Sequence, residues 1–118
     1  MKNTTSLENM EQMGLVRWFR EKFPGILIFH VPNGEFRNMS VGLRLKDLGV
    51  VRGIPDLFIP GWMLWIELKR KKGGIVSEEQ EEILTYLQRH GYTCLICYGA
   101  EDASRKVLDF WNEMNKKN

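Results

Sequence analysis

The stretch GIPDLFIPGWMLWIELKRKKGG, residues 53–74, contains two apolar segments and the charged residues that follow the second one. A Pro-Gly dipeptide, which is typical of turns, separates PDLFI from WMLWIELK. Two apolar runs joined by so short a turn predict a β-hairpin. The second run ends in the triplet Glu67-Leu68-Lys69, and three further cations come directly after it.

The predicted hairpin brings two carboxylates together. Side chains alternate along a strand, so Glu67 and Lys69 share one face, and Asp56 at the start of the neighbouring strand lies beside Glu67. Two adjacent carboxylates repel unless a positive charge lies between them, and a divalent cation such as Mg²⁺ meets this need. With Lys69 beside the water or the phosphate, such a site is suited to metal-assisted phosphodiester hydrolysis. Spacing alone is equally compatible with a hairpin salt bridge between Lys69 and either carboxylate.

Length and composition predict one compact domain. The chain has 118 residues, of which 43% are hydrophobic, enough to form a core. We expect residues 1–6 and 115–118 to fray at the two ends. The formal net charge of +2 is far from that of a protein that coats nucleic acid, so any such contact depends on local basic patches.

The sequence also predicts a cytoplasmic protein. Its N-terminus, MKNTTSLENMEQMG, has no apolar region of the kind found in signal peptides, and no apolar run approaches the roughly 20 residues of a membrane span. Cys94 and Cys97 are three residues apart in the apolar segment YTCLICYG. On a strand they point to opposite faces, which is poor geometry for a shared metal, so we expect reduced core thiols.

Helical and strand patterns alternate along the chain. A helix is expected from Ser6 to about Lys22, with an apolar stripe that has Glu11 within it and Glu8 at its edge. The stripe residues are Leu7, Leu15, Trp18 and Phe19. Residues 26–31 (ILIFHV) are predicted to form a strand buried on both faces, 40–49 a short helix, 77–91 a helix and 92–98 a buried strand. The last helix has the predicted inner-face residues Ala103, Val107, Trp111 and Met114. This order predicts a mixed α/β fold with a sheet of about four strands flanked by helices.

Several blocks occur in an order that is similar to a known family. FHVPNG, an arginine, LKDLGVVRGIPDLFI, WIELK and GGIVSEEQ together resemble the virus-type replication-repair nuclease (VRR-Nuc) family of the PD-(D/E)xK nuclease superfamily. The resemblance covers residues 7–111. It implies a restriction-endonuclease-like αβββαβ core and DNA cleavage that depends on Mg²⁺ or Mn²⁺, with no organic cofactor.

The resemblance also implies roles for single residues. It assigns metal binding to Asp56 and Glu67, with the Leu68 backbone carbonyl as a further ligand, and water or phosphate positioning to Lys69. An acid four residues before a glutamine in the family's first helix corresponds to Glu8, which precedes Gln12 by four. We therefore prefer Glu8 to Glu11 as a metal ligand, although a first-turn acid is also common without any metal.

Gln80 corresponds to a family glutamine close to the active site, which makes it a catalytic candidate. Without the resemblance, Ser77-x-x-Gln80 is also the pattern of a capping box. Asn33 is placed by the resemblance near the substrate groove. Cations near the proposed site suit a phosphate backbone; these DNA-binding candidates are Arg37, Arg44, Arg52, Arg70, Lys71 and Lys72.

The function expected from the sequence is that of a structure-selective DNA endonuclease. Stand-alone members of the family resemble junction-resolving enzymes, which implies four-way (Holliday) junctions or other branched DNA, and a role in DNA repair. A homodimer with two-fold symmetry would supply the two active sites that symmetric cutting needs. The alternatives are a non-catalytic nucleic-acid-binding module and a restriction-type duplex endonuclease, and an RNA substrate stays open.

Overall fold

The structure is a computed structural model that describes residues 6–32 and 45–116. Three of the DNA-binding candidates, Asn33, Arg37 and Arg44, lie outside these residues. The elements are α1 (Leu7–Lys22), β1 (Phe29–His30), β2 (Leu57–Ile59), β3 (Leu64–Lys69), α2 (Glu78–Arg89), β4 (Thr93–Tyr98) and α3 (Ala100–Lys116), with 3₁₀ turns at Leu45–Leu48 and Pro60–Trp62.

The four strands form one mixed sheet in the order β1-β2-β3-β4. The pairs β1–β2 and β2–β3 are antiparallel, whereas β3 and β4 are parallel because α2 forms the crossover between them. The predicted αβββαβ order and the four-stranded mixed sheet are confirmed.

The predicted hairpin is formed by β2 and β3. Leu57 pairs with Ile66 and Ile59 pairs with Leu64, and the 3₁₀ turn at Pro60–Trp62 joins the strands. The turn closes at Met63, whose left-handed conformation (φ 49°) reverses the chain. In this antiparallel register, the residues that follow the Leu57–Ile66 pair are Asp56 and Glu67, which lie opposite each other.

The two faces of the sheet serve different purposes. Leu64, Ile66 and Leu68 of β3 point into a hydrophobic core that also contains Leu15 and Phe19 of α1. The core further includes Ile28, Leu57, Ile59, Cys97, Ala103 and Val107. Since side chains alternate, the other β3 residues point to the opposite face, where α2 lies. The side chains of Glu67 and Lys69 are therefore held in place by the packing of their neighbours.

The observed ends of the helices agree with the predicted ends. The predicted buried faces agree less well with the observed ones. Ser6 caps α1 and accepts a hydrogen bond from the Asn9 N–H at 3.1 Å, while α3 continues to Lys116. Leu7, predicted in the apolar stripe, is 78% exposed, because α1 packs against the core further along, around Leu15 and Phe19. At the other end of the chain, the predicted inner-face residue Trp111 is exposed, and its ring contacts that of Phe23.

The prediction that residues 26–31 form a strand buried on both faces is wrong. β1 has two residues and pairs with β2 at the edge of the sheet, and Leu27 is 62% exposed. An edge strand can keep apolar side chains exposed, so the unbroken apolar run did not indicate burial. Ile28 alone within this run is fully buried.

The two cysteines of β4 are free thiols, as predicted. Cys97 is buried in the core, whereas Cys94 is half-buried on the opposite face. Within residues 6–32 and 45–116, no helix is long and apolar enough to cross a membrane.

Candidate active site

Asp56 and Glu67 lie next to each other at one end of the hairpin. Asp56 Oδ2 accepts a hydrogen bond of 2.7 Å from the Leu68 N–H, so this carboxylate is tied to the backbone of β3. Glu67 is only 3% exposed. Among the residues that the structure describes, it is the one charged residue that is buried. Both carboxylates therefore have positions that the sheet itself fixes.

Burial and mutual repulsion control the protonation of this pair. Burial, with a smaller contribution from the charge of Asp56, raises the pKa of Glu67 to about 7 against the opposing effect of Lys69. The pKa of Asp56 is also raised, chiefly by burial, although the Leu68 N–H, His30 and Lys69 act to lower it. Two carboxylates in this state favour either a bound proton or a positive charge between them.

Lys69 provides one positive charge at the site. Its Nζ lies 3.3 Å from Glu67 Oε2 and donates a 2.7 Å hydrogen bond to Gln80 Oε1. The salt bridge that spacing alone left open is thus present with Glu67. One lysine facing two carboxylates leaves a second negative charge at the site, and the pKa values of both carboxylates stay raised, chiefly by burial, despite the opposing charge of Lys69.

Gln80 takes part in a capping box and also lies beside Glu67. As part of a capping box, its Oε1 accepts from the Ser77 N–H at 2.9 Å, and the Ser77 hydroxyl accepts from the Gln80 N–H at 3.1 Å. Its Nε2 also donates a 2.7 Å hydrogen bond to Glu67 Oε2. The first turn of α2 therefore contacts the carboxylate pair directly.

The two acids of α1 have different surroundings. Glu11 Oε1 accepts a 2.7 Å hydrogen bond from the Ala100 N–H, so it caps the start of α3. Glu8 is exposed, and its charge contributes to the raised pKa of Asp56. Across the described ranges, no three His, Cys, Asp or Glu side chains are grouped closely enough to hold a metal ion, and the metal-binding role of Glu8 stays a prediction.

An open cleft of about 250 Å³ gives access to Asp56. It is lined by Arg52, Gly53, Ile54, Asp56, Ser77, Glu79 and Gln80. Arg52, Arg70, Lys71 and Lys72 are all exposed, with Arg52 in the wall of the cleft and the other three directly after β3.

One neighbour of the site was not predicted from the sequence. His30, part of the segment 26–31 predicted to be buried, is exposed, and its Nδ1 lies 2.9 Å from the Asp56 carbonyl oxygen. The β1–β2 pairing of His30 with Leu57 brings it there. No local sequence pattern indicates this contact, because it depends on which strand occupies the edge of the sheet.

Comparison with solved structures finds a protein named "VRR_NUC domain protein" that has the same fold, with a TM-score of 0.70. The two chains are 24% identical, and the match covers 92% of this chain and 90% of the other. No protein-family model and no curated protein matches the chain. The shared fold agrees with the resemblance seen in the sequence blocks.

Proposed function

We propose that this protein is a divalent-metal-dependent endonuclease that hydrolyses phosphodiester bonds of DNA at four-way junctions or other branches. The observation that supports this most strongly is the close pair of half-buried Asp56 and buried Glu67, with raised pKa values and with Lys69 beside it. A pair held so close costs folding free energy, which is typical of a functional site.

The residues present fit a hard divalent cation. Mg²⁺ and Mn²⁺ prefer oxygen ligands, and Asp56 and Glu67 supply two carboxylates that strand pairing already brings together. The Leu68 carbonyl and the Glu8 carboxylate are proposed as further ligands. When bound, the ion would supply Lewis-acid activation of a phosphate oxygen and of water.

Lys69 and Gln80 have separate roles in this proposal. The Lys69 ammonium would stabilise the negative charge that develops on the phosphate, because it projects from the same strand as Glu67. Gln80 would hold Lys69 and Glu67 in fixed orientation through the oxygen and the nitrogen of its side-chain amide. Both side chains are half-buried, and the hydrogen bond between them restricts their rotation.

The proposed DNA contacts lie around the cleft. Arg52 lies in its wall, and Arg70, Lys71 and Lys72 continue from the end of β3, where they would bind backbone phosphates. The proposed contacts Asn33, Arg37 and Arg44 belong to the same set. A homodimer would place two such sites on the two strands of a branched substrate.

A substrate panel tests this proposal. The purified protein with Mg²⁺ should cut a labelled four-way junction faster than a flap, a linear duplex or a single strand of the same sequence. Cleavage of the duplex at one sequence would instead indicate a restriction-type enzyme. Junction binding without cleavage of any substrate would indicate a non-catalytic binding module.

A further inference from the structure

The first turn of α2 contacts the proposed site from two sides. Ser77 and Gln80 form the capping box that begins the helix, and Gln80 reaches Lys69 and Glu67. From the other side, Gly53 packs against the backbone of the same turn. The inference that follows rests on the proposed roles of Lys69 and Glu67.

The hydrogen bonds allow the Gln80 amide a single orientation. The Ser77 N–H and the Lys69 ammonium can only donate, so both must meet the carbonyl oxygen of the amide. The amide nitrogen is then left to donate to Glu67 Oε2, which is an acceptor when ionised. The capping box thus decides which end of the amide faces the carboxylate.

Gly53 sets how closely the segment before Asp56 approaches this turn. A Cβ at Gly53 would lie 2.6 Å from the Glu79 carbonyl oxygen and 3.0 Å from the Gln80 nitrogen. These are backbone atoms, which cannot move aside without shifting the start of α2. The residue also has φ +92°, a conformation that L side chains rarely adopt. Gly53 is therefore the point where the approach to Asp56 contacts the backbone of Gln80.

We propose that Ser77 and Gly53 are positioning residues of the active site. Together they hold the first turn of α2 so that the Gln80 amide keeps Lys69 and Glu67 in their working orientation. Neither residue touches substrate in this role, and both act through Gln80.

The Ser77 contribution is tested against an equivalent cap elsewhere. Ser77→Ala and Ser6→Ala each remove a serine N-cap, with the same 3.1 Å bond to a backbone N–H, and should lower thermal stability to a similar small extent. Ser77→Ala alone should lower kcat by about tenfold with an unchanged KM for DNA. Ser77→Thr keeps an N-cap hydroxyl and should restore kcat.

The Gly53 contribution has its own control in Gly49. Both glycines have φ +92°, but among the described residues nothing lies within 4 Å of a Cβ at Gly49. Gly49→Ala therefore introduces only the backbone strain, whereas Gly53→Ala adds the clash with the α2 backbone. We expect kcat to fall by about tenfold or more in Gly53→Ala and to be kept in Gly49→Ala.

Nuclear magnetic resonance of the metal-free protein measures the position of the Gln80 amide directly and does not require enzymatic activity. The side-chain amide protons of Gln80 that bond to Glu67 should show a displaced chemical shift and slow exchange with solvent. Ser77→Ala and Gly53→Ala should reduce both properties, while Ser6→Ala and Gly49→Ala should not. If wild-type protein cut no DNA, this measurement would still decide the positioning role separately from the proposed function.

A double-mutant cycle completes the test. If both residues act through Gln80, neither Ser77→Ala nor Gly53→Ala should lower kcat further in a Gln80→Ala background. Independent, additive losses, or an unchanged Gln80 amide signal in the single variants, would overturn the proposal. Should Gly53→Ala fail to fold, the Ser77→Ala comparison decides it.

Discussion

Glu67 is buried next to another carboxylate, and this placement links its protonation to the stability of the protein. Its pKa of about 7 is above the ordinary glutamate value of 4.5. Between these two pH values, Glu67 is therefore protonated in the folded state and ionised in the unfolded chain. The stabilising contribution of the protonated form is complete below the unfolded pKa and is lost as the pH rises through the folded one.

This gives a prediction for the metal-free protein. In EDTA, the free energy of unfolding should fall as the pH rises from about 4.5 to about 7, because Glu67 must then ionise in a buried position. Urea unfolding at several pH values measures this, with Glu67→Gln as the control. The variant should show a smaller fall, due to the raised pKa of Asp56 alone. An equal fall in both proteins would contradict the assignment.

Glu8 and Glu11 are expected to differ in what their removal affects. Glu11→Ala leaves the Ala100 N–H without its acceptor and should cost about 1 kcal/mol of folding free energy, with little change in Mg²⁺ dependence. Glu8→Ala should leave stability nearly unchanged and raise the Mg²⁺ concentration needed for cleavage. Urea unfolding and a Mg²⁺ titration of activity measure these two effects. A larger Mg²⁺ effect in Glu11→Ala would show that the preference for Glu8 is wrong.

At the scale of single elements, helix ends were easier to predict than buried faces. Ser6 and Ser77 begin α1 and α2 as expected, because an N-cap depends on residues close in sequence. Whether a side chain is buried depends on where the element lies in the sheet, which periodicity does not reveal. The exposed edge strand β1 and the exposed side chains of Leu7 and Trp111 are failures of this kind.

Two leucines of α1 provide a matched test of this packing. Leu15 is 1% exposed and Leu7 is 78% exposed. Leu15→Ala should lower the free energy of unfolding by about 2–5 kcal/mol, because apolar burial is reduced and a cavity is left behind. Leu7→Ala should change it by less than about 0.5 kcal/mol. Chemical unfolding of both variants measures the difference, and similar losses would mean that α1 packs by a different face.

The candidate site was predictable as far as it lies within one hairpin. Asp56, Glu67 and Lys69 come together because a short turn and side-chain alternation dictate it. Gln80 was expected near them only from its place on α2 and from the family resemblance. The contacts of Gly53 with α2, of His30 with Asp56 and of Glu11 with α3 join segments far apart in sequence, so no local pattern indicated them.

For the whole molecule, charge distribution matters more than net charge. A formal charge of +2 gives little general attraction to DNA, so binding should depend on the cations around the cleft. The fold that this chain shares with a VRR_NUC domain protein extends over most of both chains.

The dependence of DNA binding on salt tests these cations. Replacing Arg70, Lys71 and Lys72 by alanine should weaken junction binding and reduce the slope of log affinity against log salt by about 0.9 for each DNA phosphate that is no longer neutralised. The control replaces Arg17, Arg20 and Lys22, three exposed cations of α1, which packs on the other face of the sheet. Equal changes of slope in the two triple variants would show that the cations after β3 have no special role.

The central claim is that Asp56 and Glu67 form a metal-dependent site for cutting DNA. Its most direct test is single-turnover cleavage of a labelled four-way junction by the wild-type protein and by Glu67→Ala, in EDTA and after Mg²⁺ is added back. We predict cleavage only by wild type with Mg²⁺, and a decrease of about a thousandfold or more in Glu67→Ala, which should still bind the junction. Undiminished cleavage by Glu67→Ala, or by wild type in EDTA, would contradict the claim.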